Sequence, residues 1–247
     1  MKTRIGLVIL LAVSVLSACS VLPGGLSPVR GSGRVVSEER EVSGFSGVML
    51  GTIGEMTITL GDRDSLRIEA DHNVLPYLES RVQGGELKIE SKPRTNFSLP
   101  LKVHYYVTVK KLDSIYVGSV GSITVESPDL DATRFSITVA SVGRVNLAGL
   151  RAETLNVDIS SVGDVEILTG EVAAQKIDIS STGSYKAGNL RSKSATVDVS
   201  SVGNVTLWVD ETLDVKITSV GSVQYYGRPR VTSNVTSVGK LVSLGEK

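Results

Sequence analysis

The chain has one cysteine, Cys19, in 247 residues. No disulfide can therefore form within it, and no zinc or iron–sulfur site of the multi-cysteine kind is available. Histidine is nearly as scarce. His72 and His104 stand apart from any matching carboxylate or thiol motif, which argues against a metal centre. Aromatic residues make up only 4%, and there are seven prolines. Neither sign of charge dominates: 26 Lys and Arg balance 26 Asp and Glu. A broad basic footprint for nucleic acid is thus missing. Long apolar runs are missing too, with a single exception at the N-terminus.

What the chain has instead is glycine, 25 residues of it, set among Val, Ile, Thr and Ser. That mixture favours strands and turns over helices. One triplet recurs. Ser-x-Gly ends at Gly121, Gly143, Gly163, Gly183, Gly203, Gly221 and Gly239, with gaps of 22, 20, 20, 20, 18 and 18 residues. A period near 20 made of strand-forming residues predicts a β-solenoid with one coil per repeat.

Alternation on both sides of the triplet supports this. Six residues before each glycine stand Ile115, Ile137, Val157, Ile177, Val197, Val215 and Ser233. Two after stand Ile123, Val145, Val165, Tyr185, Val205, Val223 and Leu241. Each coil then supplies two short strands whose inward residues stack on those of the next coil. At about 4.8 Å per coil, seven coils span roughly 34 Å. The last coil places Ser233 and Ser243 in the core columns, as expected of an end that must face water.

The triplet itself reads as a corner. Ser119, Ser141, Ser161, Ser181, Ser201, Ser219 and Ser237 fall on the inward parity, so their hydroxyls are expected to bond to neighbouring coils or turn backbone. The glycines permit either a positive φ or an approach too close for a Cβ. A row of nucleophilic serines is the poorer reading, because no His or Lys recurs beside them as a base.

On the outward parity, Asp158, Asp178 and Asp198 are expected to stack on one face, with Ser160, Ser180 and Ser200 beside them. Like charges so placed repel. Solvent, Lys216, the hydroxyls of a ligand, or calcium could offset this, since carboxylates are hard oxygen ligands. This strip is the candidate ligand or calcium face. Trp208, Tyr225 and Tyr226 could add the aromatic platform common in carbohydrate sites, or pack as core. Before the repeats, residues 35–112 alternate without the triplet. They predict longer strands, a hairpin at Gly84-Gly85 and one helical turn near Pro76, covering the first coil.

The N-terminal exception is a targeting segment. Lys2 and Arg4 precede an apolar run from Ile5 to Leu16, too short to span a bilayer comfortably. Leu16-Ser17-Ala18-Cys19 resembles the bacterial lipoprotein box, in which cleavage precedes a cysteine that carries lipid. Ser20 at the following position implies sorting to the outer membrane. The expected organisation is a signal peptide at 1–18, a tether at 19–34 and one domain at 35–247, divided into an N-terminal β portion (35–112) and the repeats (113–247).

Residues 36–242 resemble the GIN-domain family, described as auto-transporter adhesin head domains. The resemblance rests on "REVSGFSGVMLGTIGEMTITLGD", "LRIEADHNVLPYLESRVQGGELKIES", the serial "SSVGDVEIL", "SSTGSYKAG" and "SSVGNVTLW", and "SVQYYGRPRVTSNVTSVGK". Family members commonly write Ser-Gly-Ser-Gly at the corner, where this chain writes Ser-Val-Gly. The resemblance implies an all-β, right-handed parallel solenoid exported to the envelope, and it supplies no catalytic residues to carry over. Three functions follow as expectations. The first is a lipid-anchored, non-catalytic adhesin-like module at the outer membrane, periplasmic or surface-exposed, meeting a glycan or an envelope protein. The second is a structural envelope protein without a small ligand. The third is a polysaccharide-active β-helix enzyme, for which Lys176, Lys186 and Lys216 form no recognisable constellation. The oligomeric state is left open.

Overall fold

The computed structural model describes residues 27–247, and Cys19, the expected signal peptide and the start of the expected tether lie outside them. Val, Ile and Leu at every second position give strands with one buried edge, and these wind into a β-solenoid of about six turns. Seven corners bound six complete turns, and the strand after the seventh, Lys240–Ser243, only opens another.

Two parallel ladders run the length of the solenoid. On one, Gly121–Val125, Gly143–Leu147 and Gly163–Ile167 pair in register, glycine opposite glycine. On the other, Asp131–Val139, Leu150–Ile159 and Gly170–Ile179 pair likewise. Gly183–Val199 and Gly203–Ile217 each cross both ladders as one bent strand, with register shifts between Ala187 and Arg191 and between Ser192 and Ser194. The inward columns anticipated from the repeat are buried, and Ser233 and Ser243 are exposed in the last coil.

The N-terminal portion does more than cover the first coil. Gly47–Leu50 and Gly54–Leu60 pair in parallel with Ser114–Val117 and Gly121–Val125, so residues 47–60 form a coil themselves. Its corner is Thr52-Ile53-Gly54, a variant of the triplet. Antiparallel strands close the end beyond it. Ser65–Asp71 lies on Val103–Val109, and Val35–Arg40 lies on Ser65–Asp71. Leu78–Gln83 and Glu86–Ser91 form the hairpin, with φ +61° at Gly84 and +78° at Gly85. A 3₁₀ turn at Leu75–Tyr77 supplies the helical turn beside Pro76. Docking starts earlier than Val35. Val29 bridges Phe97, and the Ser32 N–H donates to Asn73 Oδ1 at 3.0 Å. Tether residues 29–34 are therefore bound to the domain.

Among the described residues one continuous apolar core runs from Phe45 to Val223. A polar chain crosses it. Tyr185 Oη donates to Gln175 Oε1 (2.8 Å), Gln175 Nε2 donates to Ser192 Oγ (2.8 Å), and Ser192 Oγ donates to the Trp208 carbonyl (2.8 Å). Every buried partner is satisfied. Burial pushes the Tyr185 phenol far above its ordinary value, keeping it a neutral donor.

The corners take one of the two uses expected of glycine and depart from expectation at serine. None of the seven corner glycines has a positive φ. Space is the reason for glycine: a Cβ at Gly143, Gly163, Gly183 or Gly239 would lie 2.6 Å from a methyl of Val117, Val139, Ile159 or Ile217. The seven serines are half-buried or exposed, and none of their hydroxyls makes a hydrogen bond within the described residues. Main chain holds the corner instead. The Gly143 N–H donates to the Val162 carbonyl (3.1 Å), and the Gly163 N–H to the Thr182 carbonyl (3.2 Å).

Candidate functional site

The aspartate column forms as the parity requires. Asp158 pairs in register with Asp178, Asp178 with Asp198, and Asp198 with Lys216. Their backbones are thus one strand spacing apart, about 4.8 Å. Lysines relieve the repulsion. Lys176 Nζ reaches Asp178 Oδ2 at 2.9 Å, and Lys216 Nζ reaches Asp198 Oδ2 at 2.9 Å. The hydrogen bond to Asp178, with the field of all three aspartates, raises the Lys176 pKa. Asp158 keeps no ion pair among the described residues and is exposed. Asp198 Oδ1 is buried without a hydrogen-bond partner. Ser160, Ser180 and Ser200 line up beside the column, all exposed, and their N–H groups bond to the Val139, Ile159 and Ile179 carbonyls.

The column therefore presents an exposed Asp158, two lysine-paired aspartates and a row of exposed hydroxyls along one face. It is not a cage. Among the described residues no three His, Cys, Asp or Glu side chains converge as a metal site. A second ionic column shows the alternative arrangement. Asp131, Arg151, Glu171 and Arg191 stack in register with alternating sign. The repeated sign at 158, 178 and 198 is thus particular to one column of the fold.

Trp208, Tyr225 and Tyr226 do not join the aspartates. Trp208 lies opposite Arg191 and Tyr226, on the other side of the Gly203 corner from Asp198. All three rings are half-buried. Trp208 Nε1 donates to Asp210 Oδ1 (3.1 Å), Asp210 also holds Arg191 (2.7 Å), and Lys247 Nζ sits 4.6 Å from the Tyr226 ring centre. The platform is already occupied by cations. His72 and His104 bond to the hydroxyls of Ser32 and Thr57.

The structure adds a feature that the parity argument passed over. The middle residue of each triplet points to solvent. Val120, Val142, Val162, Val202, Val220 and Val238 are 47–64% exposed, with Thr182 between them. Together they form an apolar ridge along the solenoid edge. Ile53 and Leu99 extend it toward the N-terminal end, where the ridge floors a shallow groove of about 830 Å³. The signal was in the sequence: the free position of Ser-x-Gly is valine six times in seven.

Among solved structures, a "putative adhesin" from Bacteroides fragilis is 24% identical and superposes with a TM-score of 0.82, covering 87% of this chain and 100% of that one. A "putative lipid binding protein" from Parabacteroides distasonis is 21% identical, with a TM-score of 0.71, 88% of this chain and 100% of its own. A "putative adhesin" from Parabacteroides merdae is 16% identical, with a TM-score of 0.67 over 89% and 100%. At these identities the likeness is one of fold. No curated protein matches the chain. A family model matches residues 44–229, which is most of the solenoid and more than half of the sequence. The chain belongs to the family described as "Putative auto-transporter adhesin, head GIN domain".

Proposed function

We propose that this protein is a non-catalytic, lipid-anchored binding module of the cell envelope. Its ligand face is the column Asp158, Asp178, Asp198 with Ser160, Ser180 and Ser200. The observation that carries this reading is the column's order. Acceptors and hydroxyls repeat at the strand spacing on a face fixed by main-chain hydrogen bonds, so little entropy is lost when a ligand with spaced hydroxyls or amides docks. A glycan or an extended segment of an envelope protein has that chemistry. Lys176 and Lys216 already neutralise part of the column, so binding is expected without calcium.

The test is a glycan array probed with residues 27–247, once with calcium and once with chelator. Binding in both conditions that vanishes with Asp158→Ala, Asp178→Ala and Asp198→Ala combined supports the face. Binding lost only with chelator moves calcium into the site. Silence on every glycan leaves the structural envelope role as the better reading. The anchor is tested separately. An alkyne fatty acid should label the wild-type protein in cells and spare Cys19→Ser, with the label in the outer-membrane fraction. Labelling that survives the substitution removes Cys19 as the anchor site.

A further inference from the structure

We infer that the valine ridge is a self-association surface, on which two copies of this chain pair antiparallel about a two-fold axis. Six exposed valines in one row, interrupted only by Thr182, need a partner more than scattered apolar residues do. The spacing of the row selects which partner. The triplets stack in register, so successive valines stand one strand apart, about 4.8 Å. An extended peptide laid along the ridge repeats its side chains on one face about every 6.7 Å and falls out of step within two coils. A helix advances about 5.4 Å per turn and drifts more slowly, but it too loses register along the row. A second copy carries the same row at the same spacing. Its valines keep step with those of the first wherever the two rows overlap, as identical ladders do in dry β interfaces.

The flanks choose the orientation. The column beside the ridge carries Arg144 and Asp164, one coil apart and 63% and 48% exposed, and paired only loosely to each other at 3.5 Å. A two-fold axis in the interface plane, perpendicular to the solenoid axis, reverses the order of coils and keeps each flank on its own side. With that axis between the Gly143 and Gly163 corners, Arg144 meets Asp164 of the second copy, and Asp164 meets its Arg144. Val142 then faces Val162, Val120 faces Thr182, and Val202 faces Ile53. A parallel pairing would carry this flank to the far side and leave both charges without opposite partners. The other flank consists of the corner serines. They are small enough to let the ridges close, and their hydroxyls are free within the described chain. Across the interface they can bond to one another. This pairing leaves the aspartate column uncovered, because it occupies a different strand of each coil.

Sedimentation velocity of residues 27–247 over a wide concentration range tests this. The expected result is a reversible monomer–dimer equilibrium. Val142→Lys with Val162→Lys should hold the chain monomeric throughout, with an unchanged melting temperature, since both positions already face solvent. Arg144→Glu places like charges in both symmetric contacts and should weaken the dimer about tenfold or more. Adding Asp164→Arg should restore it. A wild-type chain that stays monomeric overturns the proposal, as does a dimer that survives the lysines. Vesicles of phosphatidylethanolamine and phosphatidylglycerol provide a further arm. A monomer that binds them, and loses binding with the lysines, would assign the ridge to a lipid surface and end the dimer proposal.

Discussion

The two ends of the solenoid solve one problem by different means. Both must stop a stack of parallel strands whose core would otherwise meet water. The N-terminal end is covered. Ser65–Asp71 and Val35–Arg40 fold across it antiparallel, burying Leu66, Ile68 and Ala70 against the first coil. Arg40 ties this cover to the adjacent hairpin. Its Nη1 donates to the Leu78 carbonyl at 2.9 Å and to Ser80 Oγ at 3.2 Å. The C-terminal end is not covered by any described residue. Its last coil exchanges core residues for Ser233 and Ser243, and Val235 and Val242 are left exposed. Covering preserves full burial at the cost of an extra piece of chain. Polar substitution needs no extra chain, and the last coil contributes little stability. The stability of this fold should therefore be graded, highest toward the N-terminal half and lowest in the last coil.

Substitutions at the two ends should expose that gradient. The largest effect is expected from Ile68→Ala. The side chain is fully buried beneath the cover, and removing it should cost about 2–5 kcal/mol in chemical denaturation. A loss below about 1 kcal/mol would mean that the cover is peripheral to the core. Arg40→Ala comes next. It removes a mostly buried cation and leaves the Leu78 carbonyl without this donor, for an expected loss of about 1.5–3 kcal/mol.

Corner glycines sharpen the comparison further. Gly163→Ala and Gly239→Ala introduce the same contact, 2.6 Å to a methyl of the preceding coil. In the middle of the stack neither side can yield, so Gly163→Ala should cost about 1–3 kcal/mol. At Gly239 the strand Lys240–Ser243 has no coil beyond it and can move. The same substitution there should cost about half as much or less. Equal losses would show that the last coil is as rigid as the middle, and the gradient would fail.

How much of this was legible in the sequence follows from what repetition can reveal. The inward columns were readable because burial on a strand has period 2 and the glycines fixed the phase. From Ile115 to Val223 the columns of Ile, Val and Leu are buried as read. The aspartate column followed from the same phase. The coil at residues 47–60 was hidden, because its corner is Thr52-Ile53-Gly54 and its neighbours in space, Val103–Val109 and Gly121–Val125, are distant in sequence. Corner chemistry was misjudged for a different reason. Parity says which way a side chain leaves the strand and not how deep it goes, so serines on the inward parity lie half-exposed while glycines two residues later are packed tight. The ridge escaped because strand parity sorts residues into inward and outward faces, and the middle residue of a corner belongs to neither. The chain from Tyr185 through Gln175 to Ser192 joins residues of different coils, and no spacing within one repeat announces it.

The smallest effect on stability is expected from Ser233→Val, and it bears most directly on why the last coil is polar. Ser233 pairs with Val215 and ends a column that is Ile or Val in every earlier coil, from Val48 onward. If serine stood there by default, valine would extend the column and stabilise the end. The last coil has no neighbour to bury the new side chain, so the gain should be within about 0.5 kcal/mol of zero. The change should appear elsewhere. Valine would join Val231 and Val235 on Arg230–Val235, whose outer edge has unpaired N–H and C=O groups among the described residues. Such an edge recruits other strands when it turns apolar. Light scattering on warming should therefore show earlier aggregation for Ser233→Val than for wild type, with nearly equal chemical stability. A variant that is clearly more stable and no more prone to aggregate would mean that serine at this position does not protect the open end.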